Sequence, residues 1–254
     1  MNTPTPIALI TGGSRGLGKS MALKLAEHGT DVVLTYRSSE AEAQAVAEAV
    51  RKLGRRAAIL PLDAGNVSTF KQFAAQLHEA LQQQWQRSQV DYLVNNAGIG
   101  IHVGFADTTE AQFDELMHVH FKGVFFLTQA LLPLIADGGR ILNISSGLAR
   151  FALPGHAAYA SMKGAIEVLT RYLAKELGPR KIAVNTLAPG AIETDFGGGV
   201  VRDNADLNAF VASQTALGRA GLPDDIGGVV AALLSKDCGW INGQRIEASG
   251  GMFV

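Results

Sequence analysis

The chain has 254 residues, 47% of them hydrophobic and 18% charged, with a formal net charge of −1. That length and apolar content suit one large α/β domain with a sizeable core. The near-neutral charge excludes a basic surface for nucleic acid or a polybasic patch for a membrane, and the single cysteine, Cys238, excludes an internal disulfide framework and permits a reducing compartment.

The opening MNTPTPIALITGG has neither a basic n-region nor a long apolar stretch, so no signal peptide is read there. No segment approaches the ~18 apolar residues of a membrane span. A soluble, cytoplasmic protein is expected. IALIT (7–11) is a short apolar run ending in glycines and predicts a buried strand. KSMALKLAEHG (19–29) predicts a helix stopped by Gly29, and DVVLTY (31–36) the next strand. A helix over 39–54 precedes a strand over 57–63, and a helix follows over about 67–86. DYLVNNAG (91–98) predicts a strand running into a tight loop, followed by a long helix over about 110–134. GRILNISS (139–146) predicts a strand, and residues 157–178 a long helix stopped by Gly178 and Pro179. IAVNTLAPG (182–190) predicts a strand, residues 223–234 a helix, and QRIEAS (244–249) a last strand. Strands alternating with helices predict a parallel sheet covered on both faces. With no internal repeat and no Pro/Ser-rich linker, residues 1–254 are expected to form one domain. The most irregular stretch is GAIETDFGGGVVRDNAD (190–206), and long loops in compact domains are functional or disordered.

GGSRGLGKS (12–20) fits two phosphate motifs. From Gly13 it reads G-x-x-x-x-G-K-S, a nucleoside-triphosphate loop; from Gly12 it reads G-x-x-x-G-x-G, a dinucleotide turn. Both place free amides and a helix dipole at a phosphate. A triphosphate enzyme also needs a carboxylate for Mg²⁺ after an apolar strand. The candidate is Asp63, but Pro61 is poor in a central strand. At the end of the second strand, where an acidic group suits the NAD ribose, Tyr36 is followed by Arg37 and Ser38. Arg15 in the glycine loop and Arg37 together form a plausible pocket for the NADP 2′-phosphate. No His/Cys/Asp cluster is spaced for a catalytic metal.

TGGSRGLG (11–18), NNAG (95–98), Ser146, YASMK (159–163), APG (188–190) with Thr194, and NG…SGG (242–251) occur in order over nearly the whole chain. Together they resemble the short-chain dehydrogenase/reductase family. The resemblance implies a Rossmann-type, doubly wound α/β fold with about seven parallel strands. It also implies an NADP(H)-dependent enzyme reducing a carbonyl to an alcohol reversibly, and a homotetramer built on the two long helices. A non-catalytic NADP-binding sensor or scaffold is the alternative. The glycine loop becomes a dinucleotide loop, with Gly12, Ser14, Arg15, Gly16, Leu17 and Gly18 at the cofactor. Asp63 and Ala64 match positions near the adenine, Asn95, Ala97 and Gly98 the loop over the adenosine ribose, and Pro189, Gly190, Ile192 and Thr194 the strand end that holds the carboxamide. Residues 191–215 become a substrate lid, with Phe196 and Gly197–Gly199 as its mobile part.

Carbonyl reduction needs a proton donor and a group that polarises the oxygen. Tyr159 and Lys163, four apart on one helix, share a face. An ammonium there is expected to lower the phenol pKa, and in the family the lysine also binds the nicotinamide ribose. Ser146, at the end of the preceding strand, can hydrogen-bond the substrate oxygen. HVHFKG departs from the family's Asn-x-x-Gly: His120 stands where the Asn belongs. Two readings of His120 are open, a proton relay titrating near ~6.5 or packing. His102 and His156 are candidate pocket residues.

Overall fold

The structure is a computed structural model and describes residues 4–254; Met1 to Thr3, part of the segment read for a leader, lie outside it. Seven strands form one parallel sheet in the order β3-β2-β1-β4-β5-β6-β7. They are β1 (Ile7–Ile10), β2 (Asp31–Tyr36), β3 (Ala57–Pro61), β4 (Val90–Asn95), β5 (Ile135–Ile144), β6 (Ala183–Pro189) and β7 (Arg245–Ala248). The helices are α1 (Gly16–Glu27), α2 (Glu40–Lys52), α3 (Phe70–Trp85), α4 (Glu110–Met117), α5 (Gly123–Leu131), α6 (Ala157–Glu176), α7 (Val200–Asp203), α8 (Ala205–Ser213) and α9 (Pro223–Leu234).

Strand alternation divides the core in two. Ala8 and Ile10 of β1 face Met21, Leu25, Val46 and Val230, under α1, α2 and α9. Ile7 and Leu9 face Phe73, Leu77, Leu127 and Leu131, under α3 and α5. With both faces covered, the central strands carry apolar residues in unbroken runs, as IALI does. Pro61 ends β3, an edge strand, where its missing N–H breaks no ladder. Among the described residues no helix is long and apolar enough to cross a membrane.

Four sequence expectations change. Helix α1 begins at Gly16, not Lys19, so the glycine loop itself supplies the first turn. Strand β5 begins at Ile135, ahead of a register irregularity against β4. The helix expected over 110–134 is interrupted by π-helical turns over His118–Lys122 and ends in a 3₁₀ turn over Leu132–Leu134. The segment after β6 is not a bare loop: α7 and α8 lie within it, behind Gly197, Gly198 and Gly199 at φ of 62°, 80° and 77°. Three glycines in the left-handed region make a turn that side-chain-bearing residues adopt rarely.

Candidate active site

The C-terminal ends of β1, β4, β5 and β6 converge on one rim. At β1 the chain turns into α1 through the glycines. A Cβ on Gly18 would run into the Gly12 carbonyl oxygen, and one on Gly12 would stand 3.0 Å from the Ala97 Cα. Only glycine permits that approach. Asn96, which the sequence did not single out as a site residue, clamps this turn: its Nδ2 donates to the carbonyls of Thr11 (2.9 Å) and Gly12 (3.1 Å). The Thr11 hydroxyl accepts from the N–H groups of Asn96 and Ala97, both at 2.9 Å. A Cβ on Gly16 would stand 3.6 Å from the Thr194 side chain, which brings the loop after β6 against the glycine turn. Ser14 and Leu17 lie within the turn, half-buried. Lys19 is exposed, whereas Ser20 is buried and donates to Asp224 on α9 at 2.7 Å. A serine committed to α9 does not serve a metal-bound triphosphate.

Arg15 and Arg37 are exposed, and neither takes part in an ion pair among the described residues. Past Tyr36 and beside Ser38, Arg37 lines a cavity of about 390 Å³ with Asp63, Gly65, Asn66, His118 and Val119. Helix α4 brings Asp114 and Glu115 to the same wall, carboxylates the strand-end reading did not include. Asp63 Oδ1 accepts from Gly65 N at 2.9 Å, turning the chain at Ala64. The tight glycine turn, the open first turn of α1 and the unpaired guanidiniums fit a dinucleotide phosphate.

Asn95, expected at the loop over the adenosine ribose, ends β4. Its side chain is buried and donates to Thr128 (3.1 Å) and Asn143 (2.8 Å). Asn95, Asn143 and Thr186 are in register across three strands, and Thr170 joins Asn143 and Thr186 from α6. Strand alternation turns the Asn95 side chain into the sheet–helix layer. Ala97 and Gly98 lie in the loop beyond it.

Tyr159 and Lys163 sit one turn apart on α6, both nearly inaccessible, and Lys163 Nζ donates to the Ile144 carbonyl at 2.7 Å. Ser146 caps the turn after β5, its Oγ accepting from Leu148 N at 3.2 Å. Burial pushes the Tyr159 phenol up to about 12, opposed by a hydrogen bond with Ser146. Burial pulls Lys163 down to about 7. Lys163 Nζ lies 5.6 Å from the Tyr159 ring centre and is engaged with a carbonyl, and burial is the larger influence on the phenol. At neutral pH Tyr159 is a protonated phenol, the form that donates a proton.

His120 is buried in the π-helical stretch, with Nε2 2.8 Å from the Ile99 carbonyl. The Ile99 N–H also lies 3.2 Å from Nε2, so this nitrogen meets both peptide groups of Ile99, donating to the carbonyl in one tautomer and accepting from the N–H in the other. Nδ1 is buried without a partner among the described residues. Burial first, and the Lys163 charge second, pull its pKa down to about 3, against the raising effect of Ile99. Burial thus favours the neutral imidazole, and His120 ties the α4–α5 helix to the loop after β4.

Phe196 lies over Tyr159, centroids 5.9 Å apart, and Gly100 packs against it. Ile99, Ile101 and Leu148 pack against the cluster of Leu116, Tyr159 and Met162. His102 and His156 meet edge-on at 4.8 Å beside that wall. Pro189 closes β6, Gly190 packs on Ser249, and Ile192 bridges to Gly221.

A family model described as enoyl-(acyl carrier protein) reductase matches residues 12–253. An uncharacterised oxidoreductase of Methylorubrum extorquens is 40% identical over 246 residues, 97% of each chain. A hydroxynaphthalene reductase-like protein, Arp2, of Metarhizium brunneum is 35% identical, over 96% of this chain and 94% of its own. The crystal structure of landomycin C-6 ketoreductase LanV with bound NADP and rabelomycin superposes with a TM-score of 0.89 at 36% identity, covering 98% of this chain and 97% of that one.

Proposed function

The chain belongs to the short-chain dehydrogenase/reductase family, and from that membership we propose the following reading of its site. The protein is an NADP-dependent oxidoreductase that reduces a carbonyl to an alcohol. Ser146, Tyr159, Lys163 and the glycine turn carry that activity. The observation that supports this most is the buried Tyr159 one turn from Lys163 on α6, whose Nζ is tied to the Ile144 carbonyl at the end of β5, the strand that leads into Ser146. Bound NADPH supplies the hydride. Tyr159 donates the proton to the substrate oxygen, and Ser146 holds that oxygen in place. Lys163, tied to Ile144, faces the same space and holds the nicotinamide ribose. His120 keeps the helix and the Ile99 loop together around Tyr159.

The substrate is a flat, fused-ring aromatic ketone. Phe196, Ile99, Ile101 and Leu148 offer apolar walls beside the phenol, and the hydroxynaphthalene reductase-like relative and the rabelomycin-bound ketoreductase act in that chemistry by name. Residues 191–215 form the lid over it, within a single domain. A homotetramer in the cytoplasm completes the reading: an apolar groove of about 460 Å³ between α5 and α6, lined by Phe121, Phe125, Val168 and Tyr172, gives a second copy a surface to cover. The test is NADPH oxidation, followed by the loss of its absorbance, on tetralones, naphthols and simple ketones. Failure to bind NADPH and to turn over any of them overturns the reading, and sedimentation reads the assembly.

A further inference from the structure

Four residues past Ser146, the Arg150 guanidinium is spread over the end of the chain. Nε and Nη2 form a two-point pair with the Glu247 carboxylate at 2.7 and 2.8 Å. Nη1 donates to the Phe253 carbonyl at 3.0 Å and Nη2 to the Met252 carbonyl at 2.8 Å. The Phe151 ring lies under the same guanidinium at 5.4 Å and packs on Phe253 at 4.7 Å. Residues 250–253 are thus held on one side by the segment that carries Ser146.

Their other side is bonded to the far end of the lid. Phe253 N donates to the Gln214 carbonyl (3.0 Å), Ala216 N to Gly251 (3.2 Å) and Leu217 N to Gly250 (3.0 Å). Thr215 bridges Met252. Arg245 adds a second tie, from Nε to Glu167 on α6 and from Nη2 to the Ser146 carbonyl at 3.4 Å. Phe253 is held at φ 53°, a region aromatic residues rarely enter. Such a conformation persists where the surroundings over-determine it, and both peptide groups of Phe253 are fixed, its N–H on Gln214 and its carbonyl on Arg150.

We infer that Arg150 is a positioning residue: by clamping residues 250–253 it sets the base of the substrate lid relative to Ser146. The inference rests on the reductase reading of the site. Arg150 touches neither Tyr159 nor Lys163 in any hydrogen bond, so its effect on turnover passes through the tail.

The experiment uses the full-length Arg150→Ala, Arg150→Lys and Glu247→Gln variants. Small displacements of positioning elements are worth up to roughly a hundredfold in rate, so Arg150→Ala is expected to raise KM for the carbonyl substrate by about tenfold or more, with NADPH affinity unchanged. Arg150→Lys keeps the charge without the two-point geometry and is expected to recover part of the loss. Chymotrypsin cleavage at Phe196 and Phe210, both exposed on the lid, is expected to accelerate in Arg150→Ala with no substrate present. Glu247→Gln, which keeps Arg150, serves if Arg150→Ala does not fold, with the same expected direction. An unchanged KM, lid cleavage at the wild-type rate, or cleavage accelerated evenly along the chain with loss of NADPH affinity each overturns the inference. If the wild type reduces no ketone, the reductase reading falls, and lid cleavage alone then decides for or against the clamp.

Discussion

His120 stands edge-on to Tyr159, ring centroids 5.0 Å apart at 88°. The family's asparagine position is therefore occupied by an aromatic ring that packs on the Tyr159 phenol and still bonds Ile99 through Nε2. An edge-to-face pair of this kind is worth about 0.5–1.5 kcal/mol beyond the area it buries.

His120→Asn tests the neutral state of that ring. Burial pulls the folded pKa down to about 3, below the ordinary histidine value of 6.5. Between those values the unfolded chain binds more protons, so the stability linked to His120 is complete above about 6.5 and is lost as pH falls towards 3. Denaturant titrations at several pH values are expected to show a shallower loss of stability on the acid side in His120→Asn. Activity should persist, and the pH dependence of kcat between 6 and 9 should match the wild type. An ionisation near 6.5 that disappears in the variant would restore the relay.

Tyr159→Phe removes the donor and keeps the ring. General acid catalysis contributes about 10²–10⁴-fold, and kcat should fall by that range while NADPH binding, read by its fluorescence, is retained. Turnover at the wild-type level would take Tyr159 out of its role.

Arg37→Ala separates the two cofactors. A charge-assisted hydrogen bond contributes about 1.5–3 kcal/mol, so NADPH affinity should weaken roughly tenfold to a hundredfold. NADH affinity should stay level. Equal losses for both place Arg37 elsewhere. Lys19→Ala, at an exposed position beyond the glycine turn, should leave both affinities unchanged by calorimetry.

Phe196→Ala removes the ring over Tyr159. Loss of one aromatic contact at about 0.5–1.5 kcal/mol corresponds to a KM raised roughly two- to tenfold for a fused-ring ketone. A small aliphatic ketone should be nearly indifferent. A uniform change across both substrates would count against the aromatic wall.

Much of the architecture was legible in the chain because strand and helix signals are local. Asp31–Tyr36 and Pro223–Leu234 fall where the sequence predicts a strand and a helix. The π-helical stretch at His118–Lys122 was not legible, because its hydrophobic pattern continues that of the flanking helix. The direction of the Asn95 side chain was not legible for a similar reason. The NNAG run does not say which asparagine side chain faces the sheet layer and which the glycine turn; the register with Asn143 and Thr186 does. The helices behind Gly197–Gly199 were hidden by the glycines that precede them.

The sequence by itself determined the alternating parallel architecture, the glycine turn, and the presence of Ser146, Tyr159 and Lys163, since each is a matter of residue type at a fixed spacing. Only the tertiary structure decided the protonation of those groups and their neighbours. Burial, not the nearby lysine, sets Tyr159 at about 12, and burial with the Lys163 charge takes His120 to about 3. Desolvation depends on what the rest of the chain excludes from a point in space, and Arg150 reaches Phe253 across 103 residues. Quantities of that kind belong to the packed molecule and have no local signature in the chain.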